Sequence, residues 1–352
     1  MTSATTRAQS AAEAAFEQVH AGTLALFPEL VRELGGDADA LLMAVGIEPG
    51  LIARPAPRAS LRAIVALLES TATALACPDF GLRLAARQGS GKVFGPIGVV
   101  MRNSATFGEA LRFVAAHNQA YSMATAIPLE HDRAGARMFV GYDILLSGLA
   151  SGAQLVEQAV LLAHLNALES TGGRARAREV WFRHQPLSPL RTYREHFACE
   201  VRFDQRADGL YFSDADLATP IVDPVSDYRE LAALFIDAHF PVRPRPMHAR
   251  VRGLVRRQIG HGDCRIDHIA EALCIHPRTL HRRLEREGTA FEAIKDEVRR
   301  DLARYYLERT RLPVTRIAER LGYAETSVLS RSCLRWFGAP PRDLRGKDVR
   351  GA

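Results

Sequence analysis

Hydrophobic positions in the front two thirds of the 352-residue chain follow two different periods. Apolar residues recur every three or four positions in three stretches, which predicts helices over 60–76, 106–120 and 152–170. Three other runs are rich in β-branched and aromatic residues, as strands are: Ala136–Leu146, Glu179–His184 and Gly209–Phe212. The helices and strands do not alternate as βαβ units would, so the pattern predicts an α+β domain with a small antiparallel sheet.

Three prolines mark the end of this mixed region. Pro241, Pro244 and Pro246 cannot continue a helix, so residues 239–248 are predicted to form a Pro-rich linker. The pattern after the linker is almost purely helical. The other predicted segments are a flexible N-terminus at 1–20, a front domain at 21–238, a rear domain at 249–346 and a tail at 347–352.

The rear domain contains an internal repeat. The segment HIAEALC, from His268 to Cys274, recurs 48 residues later as RIAERLG, from Arg316 to Gly322. Each copy needs a sharp turn after its first helix, and Gly322 suits the positive φ of such a turn. Cys274 stands at the equivalent position of the first copy, where a side chain would strain the turn. Two helix-turn-helix motifs in an all-α domain explain the repeat.

The second helix of each copy leaves polar side chains for a DNA major groove. In the first copy Pro277 suits the first helical position, and Leu280 and Leu284 are expected to face the core. Arginine can bridge guanine O6 and N7, and serine and threonine can reach bases or phosphates. The predicted DNA-binding residues are therefore Arg278, His281, Arg282, Thr326, Ser327 and Arg331. Arg282 and Arg331 are singled out because they occupy repeat-related positions.

A long helix is predicted between the two copies, over 291–310. Its apolar stripe advances in steps of three and four: Phe291, Ile294, Val298, Leu302 and Tyr305. At 1.5 Å per residue it would be about 30 Å long, which approaches the ~34 Å between successive major-groove faces of B-DNA. A rigid linker helix could therefore hold two recognition helices one turn of DNA apart.

Charge is divided unevenly between the two parts of the chain. Residues up to Pro246 carry 23 basic and 26 acidic side chains, whereas those from Met247 to the end carry 23 and 14, a net of +9. Such an asymmetry indicates a nucleic-acid or anionic-membrane partner for one end only. No apolar run approaches the ~18–20 residues of a membrane span. Because the basic part of the chain is also the part that contains the two helix-turn-helix motifs, DNA is the predicted partner and a membrane is not.

Composition also bears on compartment and chemistry. The five cysteines are odd in number and form no CxxC pair, which argues against a disulfide framework and a structural zinc. The first twenty residues lack the hydrophobic segment of a signal peptide. No catalytic motif, metal-ligand spacing or cofactor motif is recognisable. The sequence predicts a cytoplasmic protein that is not an enzyme and holds no metal or cofactor.

The segment from Ile266 to Arg345 resembles the DNA-binding domain of the AraC/XylS transcription regulators. The matching positions are Ile317-Ala318-Glu319-x-Leu321-Gly322-Tyr323, Ser330-Arg331, Arg335-Trp336 and Gly338-x-x-Pro341-x-x-Leu344-Arg345. The family usually has phenylalanine where Leu329 and Cys333 stand, so the core of the second motif is smaller here. The resemblance implies a homodimer that binds promoter DNA and activates transcription by helping RNA polymerase. Nothing in the sequence itself separates activation from repression.

The front domain is similar to the "arabinose-binding domain" found at the N-terminus of such regulators. The matching pieces are Pro78-Asp79-Phe80-Gly81-Leu82, Phe94-Gly95-x-Ile97-Gly98, Thr106-x-x-Glu109-Ala110-Leu111 and Tyr193-x-x-x-Phe197. This likeness covers roughly residues 25–220 and implies a domain that senses a small-molecule effector, dimerises, or both. The sequence identifies neither the effector nor the residues that bind it.

Two other functions remain open at this point. An architectural DNA-binding protein would use the same rear domain without any effector. An enzyme fused to a similar module, as in DNA-repair methyltransferases, would need an activated cysteine, and none of the five cysteines stands in the required setting.

Overall fold

A computed structural model gives the structure of residues 14–54, 57–89, 92–149, 151–240, 244–260, 262 and 264–345. The chain forms two compact units, the first from residues 1–144 and 152–243 and the second from residues 145–151 and 244–352. The predicted tail at 347–352, residues 1–13 of the predicted flexible N-terminus and residues 241–243 of the predicted linker lie outside the described residues.

The three helices predicted from periodicity are present in the first unit as α3, α6 and α7. Its helices are α1 Phe27–Glu33, α2 Ala38–Ala44, α3 Leu61–Ala74, α4 Phe80–Gln88, α5 Gly95–Arg102, α6 Phe107–His117, α7 Ala153–Ser170, α8 Leu190–Phe197, α9 Asp214–Leu217 and α10 Ser226–His239. The side chains of Ser60 and Thr106 accept hydrogen bonds from backbone amides in the first turns of α3 and α6. These N-caps fix where the two helices begin.

The sheet of the first unit is mixed. The strands are β1 Gln18–His20, β2 Arg58–Ser60, β3 Thr125–Ala126, β4 Leu129–Asp132, β5 Arg137–Gly141, β6 Asp143–Ile144, β7 Glu179–Trp181, β8 Glu200–Arg202 and β9 Gly209–Ser213. Five of them form one sheet in the order β4-β5-β9-β7-β8, in which β7 and β8 are parallel and the other neighbours antiparallel. The prediction of an antiparallel sheet is wrong for β7 and β8. Parallel neighbours need a crossover connection, and helix α8 lies in the segment that connects these two strands.

Two further predictions for the first unit are corrected. The run predicted as one strand over 136–146 is interrupted at Tyr142, whose N–H donates to the carbonyl of Asp208 (2.9 Å). As a result β5 belongs to the five-stranded sheet, whereas β6 pairs with β3. Residues 18–20 were predicted to be flexible but form β1, which pairs with β2, because the apolar side chain of Val19 is buried there.

Helix α7 is buried on nearly all sides, so it lies in the interior of the first unit. Several polar side chains are buried along it, among them Glu157, Gln158, His164 and Asn166. Buried polar groups need hydrogen-bond partners, and some of these have them. The hydroxyl of Tyr193 donates to Glu157 (2.6 Å), and His164 Nδ1 accepts from the N–H of Ala177 (3.3 Å).

The second unit is helical and has two hydrophobic cores. Its helices are α11 Met247–Gln258, α12 Ile266–Ala272, α13 Pro277–Arg286, α14 Phe291–Arg309, α15 Val314–Arg320, α16 Thr326–Phe337 and α17 Pro341–Leu344. The first half of α14 packs into the core formed with α11, α12 and α13, and its second half packs into the core formed with α15 and α16. Leu302 contacts both cores, so a single helix joins them.

The second unit also takes in residues 145–151, which the sequence had assigned to the front domain. Within this unit the N–H of Gly148 donates to the carboxylate of Asp301 in α14 (2.7 Å), which accounts for the correction. In the described ranges, no helix of either unit combines the length and the apolar character that crossing a bilayer would need.

Candidate DNA-binding surface

Helices α12 and α13 are joined by a tight turn centred on Cys274. This residue has a φ of +54°, and its N–H donates to the carbonyl of Glu271 (2.9 Å). The N–H of Ile275 donates to the carbonyl of Ala270 (3.0 Å). These two bonds are those of the Schellman motif, which satisfies the last carbonyls of a helix around one left-handed residue. The predicted departure at Cys274 is confirmed, since a residue with a Cβ holds a position that favours glycine.

The turn between α15 and α16 has the same geometry. Gly322 has a φ of +69°, and its N–H donates to Glu319 (2.9 Å). The N–H of Tyr323 donates to the carbonyl of Ala318 (2.9 Å). Each bond lies 48 residues after its counterpart in the first turn, so the sequence repeat is also a repeat of backbone structure.

Helix α13 is anchored by its first turn and by two leucines. Pro277 occupies the first helical position, and the imidazole of His276 accepts from the N–H of Arg278 (3.2 Å) as an N-cap. Leu280 and Leu284 have no exposed surface and pack against the first half of α14. The inner face of α13 is therefore fixed, which determines the direction of its outer face.

The outer face of α13 carries exposed basic side chains. Arg278, His281 and Arg282 are exposed, and at about 100° per residue Arg282 lies nearly opposite the two leucines. Arg278 precedes Arg282 by four residues and so shares its side of the helix. Among the described residues, neither guanidinium group makes a hydrogen bond or an ion pair. Both are therefore available to an anionic or hydrogen-bonding partner.

Helix α16 presents a less basic surface. Arg331 is exposed and, within the described ranges, forms no hydrogen bond or ion pair. Ser327 is exposed too, but its hydroxyl donates to Glu325 (2.9 Å). Thr326, at the first helical position, is half-buried. The six predicted residues thus lie on two helices, and Ser327 and Arg331 correspond in the repeat to Arg278 and Arg282.

An aspartate of the linker helix, which sequence reasoning missed, fixes α16. The carboxylate of Asp296 accepts hydrogen bonds from the guanidinium of Arg335 and from the indole N–H of Trp336 (2.8 Å). Arg335 and Trp336 belong to the family-like signature, and this shared partner gives both a structural role. The signal available in the sequence was an acidic residue beside the apolar stripe of α14.

An arginine of the linker helix, also missed, supports the second turn. Arg299 Nε donates to the carbonyl of Leu321 at the end of α15 (3.0 Å). Its guanidinium lies 4.5 Å from the centre of the Tyr323 ring, a cation–π distance. Because Arg299 follows Asp296 by three residues, one side of α14 holds both α15 and α16.

Three of the five cysteines are poor nucleophiles in this structure. Burial raises the pKa of the thiols of Cys77, Cys199 and Cys333 to about 11, which disfavours the nucleophilic thiolate. Within the described ranges, no three or more His, Cys, Asp or Glu side chains are grouped so that they could hold a metal ion. The exposed face of α13 that carries Arg278, His281 and Arg282 is, with its counterpart on α16, the candidate DNA-binding surface.

Comparison with known proteins matches both units. The family described as "Arabinose-binding domain of AraC transcription regulator, N-term" matches residues 35–221, and the family "Helix-turn-helix domain" matches residues 269–347. The HTH-type transcriptional regulator VirS of Mycobacterium tuberculosis is 35% identical over 319 residues, which cover 91% of this chain and 94% of VirS. The Ornithine utilization regulator of Pseudomonas aeruginosa is 26% identical, over 90% of this chain and 93% of that protein. Among solved structures, transcriptional regulator CdpR from Pseudomonas aeruginosa matches 89% of this chain and 96% of its own, with 22% identity and a TM-score of 0.40.

Proposed function

This chain belongs to the AraC family of DNA-binding transcription regulators, and we propose that it reads a specific DNA site with two helix-turn-helix motifs whose recognition helices are α13 and α16. The observation that carries the proposal is the repeated geometry of the second unit. Two turns with the same hydrogen bonds each precede a helix that directs an arginine, Arg282 or Arg331, away from its core, and neither guanidinium has a partner among the described residues.

The linker helix suits such a reader. Helix α14 has 19 residues and is therefore about 28 Å long. This length is near the ~34 Å between successive major grooves on one side of B-DNA. The two cores at its ends hold both recognition helices on one rigid element. The net charge of +9 from Met247 onward supplies phosphate contacts, and these provide most of the affinity.

The six predicted residues divide into base readers and supporting contacts. Arg282 and Arg331 read guanine edges, because they are exposed, unpaired among the described residues and equivalent in the repeat. Arg278 and His281 contact neighbouring bases or phosphates. Ser327 contacts DNA when its hydroxyl donates to a phosphate instead of to Glu325. Thr326 is half-buried at the start of α16 and contacts the DNA backbone there.

The first unit senses a small-molecule effector and forms a homodimer. Of the ten exposed large hydrophobic side chains recorded in the described residues, six lie between Val222 and Phe235. On α10, Tyr228, Leu231 and Phe235 recur at steps of three and four and are 60%, 66% and 44% exposed. A two-fold-related copy would cover this face with the same face of its own α10.

Activation through RNA polymerase is the outcome that the family resemblance supports. We test it by transcription in vitro from a promoter that carries the binding site, with and without the protein. More transcript with the protein supports activation, and less transcript shows repression.

The experiment that tests DNA reading uses the full chain. Its binding site is first selected from random DNA, and the affinities of Arg282→Ala and Arg331→Ala are then measured on that site and on random DNA. Each variant should lose about 1–3 kcal/mol on the selected site and much less on random DNA. Arg309→Ala is the matched control, because Arg309 is exposed and unpaired among the described residues but ends α14. Equal losses on both DNAs for Arg282 and Arg331 would make them phosphate contacts.

A further inference from the structure

An apolar cavity of about 90 Å³ lies inside the first unit, beside α7. Its wall consists largely of aliphatic side chains from α5, α6 and α7, among them Ile97, Met101, Leu111, Val114, Leu155 and Leu162. None of the described residues that line it carries a charge. An ion in this cavity would lose its hydration without a counter-charge, so the cavity excludes charged ligands.

The side-chain amide of Asn166, in the cavity wall, has no hydrogen-bond partner among the described residues. Asn166 is 1% exposed, and neither Oδ1 nor Nδ2 of its amide has a hydrogen-bond partner among the described residues. Leaving a buried amide unpaired costs folding free energy, and native proteins rarely do so. Gln158, two turns earlier on α7, also lines the cavity; its Nε2 donates to Thr23 (2.7 Å) and to Gln88 (2.9 Å), whereas its Oε1 has no partner among the described residues. Asn166 is therefore the side-chain amide of the wall in which both the donor and the acceptor remain for a ligand.

We infer that this cavity is the effector site, and that the effector is a small, uncharged, mostly apolar molecule whose polar group donates and accepts hydrogen bonds at Asn166. A carboxamide or lactam has this property, since its carbonyl accepts from Nδ2 and its N–H donates to Oδ1. The inference rests on the proposed function in one respect, the expectation that the first unit binds an effector.

The size of the cavity limits the ligand. A cavity of about 150 Å³ lined by similar side chains holds benzene, so about 90 Å³ takes a smaller molecule unless the wall moves. Met101 is the flexible part of the wall, because its unbranched thioether side chain changes shape readily. A short-chain amide is therefore a suitable probe. We choose butyramide, which has as many non-hydrogen atoms as benzene and so requires the side chain of Met101 to move.

Binding to the full chain is measured by calorimetry and by thermal unfolding with three molecules that have the same number of non-hydrogen atoms. Butyramide can donate and accept, 2-pentanone can only accept, and butyrate is an anion. We expect saturable binding of butyramide with a rise in unfolding temperature, about tenfold weaker binding of 2-pentanone, and no binding of butyrate. Tightest binding of butyrate, equal binding of amide and ketone, or no binding of butyramide would each overturn the inference.

Two variants locate the binding. Asn166→Leu should fold, because it replaces an unpaired amide by an apolar group of similar shape, and it should bind butyramide about tenfold more weakly. Thr71→Val is the matched control, because the Thr71 hydroxyl is also buried with no partner among the described residues but does not line the cavity. It should bind butyramide as the unmodified chain does. If Asn166→Leu binds butyramide as tightly as the unmodified chain does, the site is refuted. If instead the DNA-binding experiment fails, the butyramide isotherms are unaffected and only the proposed function is refuted.

Discussion

Replacing Cys274 by glycine should stabilise the second unit. The residue has a φ of +54°, and the same turn in the second motif has glycine at a φ of +69°. A left-handed backbone costs an ordinary residue about 1–2 kcal/mol. Glycine loses about 0.4–1 kcal/mol more chain entropy on folding, which offsets part of the gain. The net expectation for Cys274→Gly is a free energy of unfolding higher by about 0.5–1 kcal/mol.

The assay is urea unfolding of the full chain followed by tryptophan fluorescence. The chain has two tryptophans, and Trp336 packs against the second core of the second unit, so a Trp181→Phe background reports on that unit. At roughly 2 kcal/mol per molar urea, the midpoint should rise by about 0.3–0.5 M. Cys274→Ala, which keeps a Cβ, should leave it unchanged because the thiol is exposed.

Gly322→Ala is the reciprocal control and should lower the midpoint by a similar amount. A Cβ at Gly322 would approach Arg299 and Gly260 only to 3.6 Å, an ordinary van der Waals distance, so the loss would come from the backbone alone. The reasoning is refuted if Cys274→Gly is no more stable than Cys274→Ala.

Three further predictions address affinity, pH and assembly. Affinity for the selected DNA should fall more than tenfold between roughly 50 and 200 mM salt, and a gel-shift series that shows less change would contradict the phosphate contacts. Burial raises the pKa of Glu157 from 4.5 to about 8, so the folded unit keeps a proton that the unfolded chain releases. This contribution to the free energy of unfolding is complete below about pH 4.5 and is lost as the pH rises through 8, so the urea midpoint should fall over the same pH range. In Glu157→Gln, whose side chain can still accept the hydrogen bond from Tyr193, the urea midpoint should depend less on pH. Leu231→Asp should give a monomer in sedimentation velocity, and a persistent dimer would exclude α10 as the interface.

Features that depend on neighbouring residues alone were predictable from the sequence. The helices at 60–76, 106–120 and 152–170 follow from apolar periodicity, and the two turns follow from a repeated segment that ends in Cys274 or Gly322. The exposure of Arg282 and Arg331 follows from their spacing to Leu280 and Leu329, since a helix turns about 100° per residue. In these cases short-range backbone geometry determines the result.

Features that depend on distant partners required the tertiary structure. The interruption at Tyr142, the parallel pair β7–β8 and the pairing of residues 18–20 each depend on which strand lies alongside, and strand spacing along the chain does not specify that. The contacts of Asp296, and the lack of a partner for the Asn166 amide among the described residues, likewise depend on side chains brought together from separate elements. The sequence reveals which residues are polar, but only the packed chain determines which of them are left without a partner, because burial and hydrogen bonding are set by all the surrounding elements together.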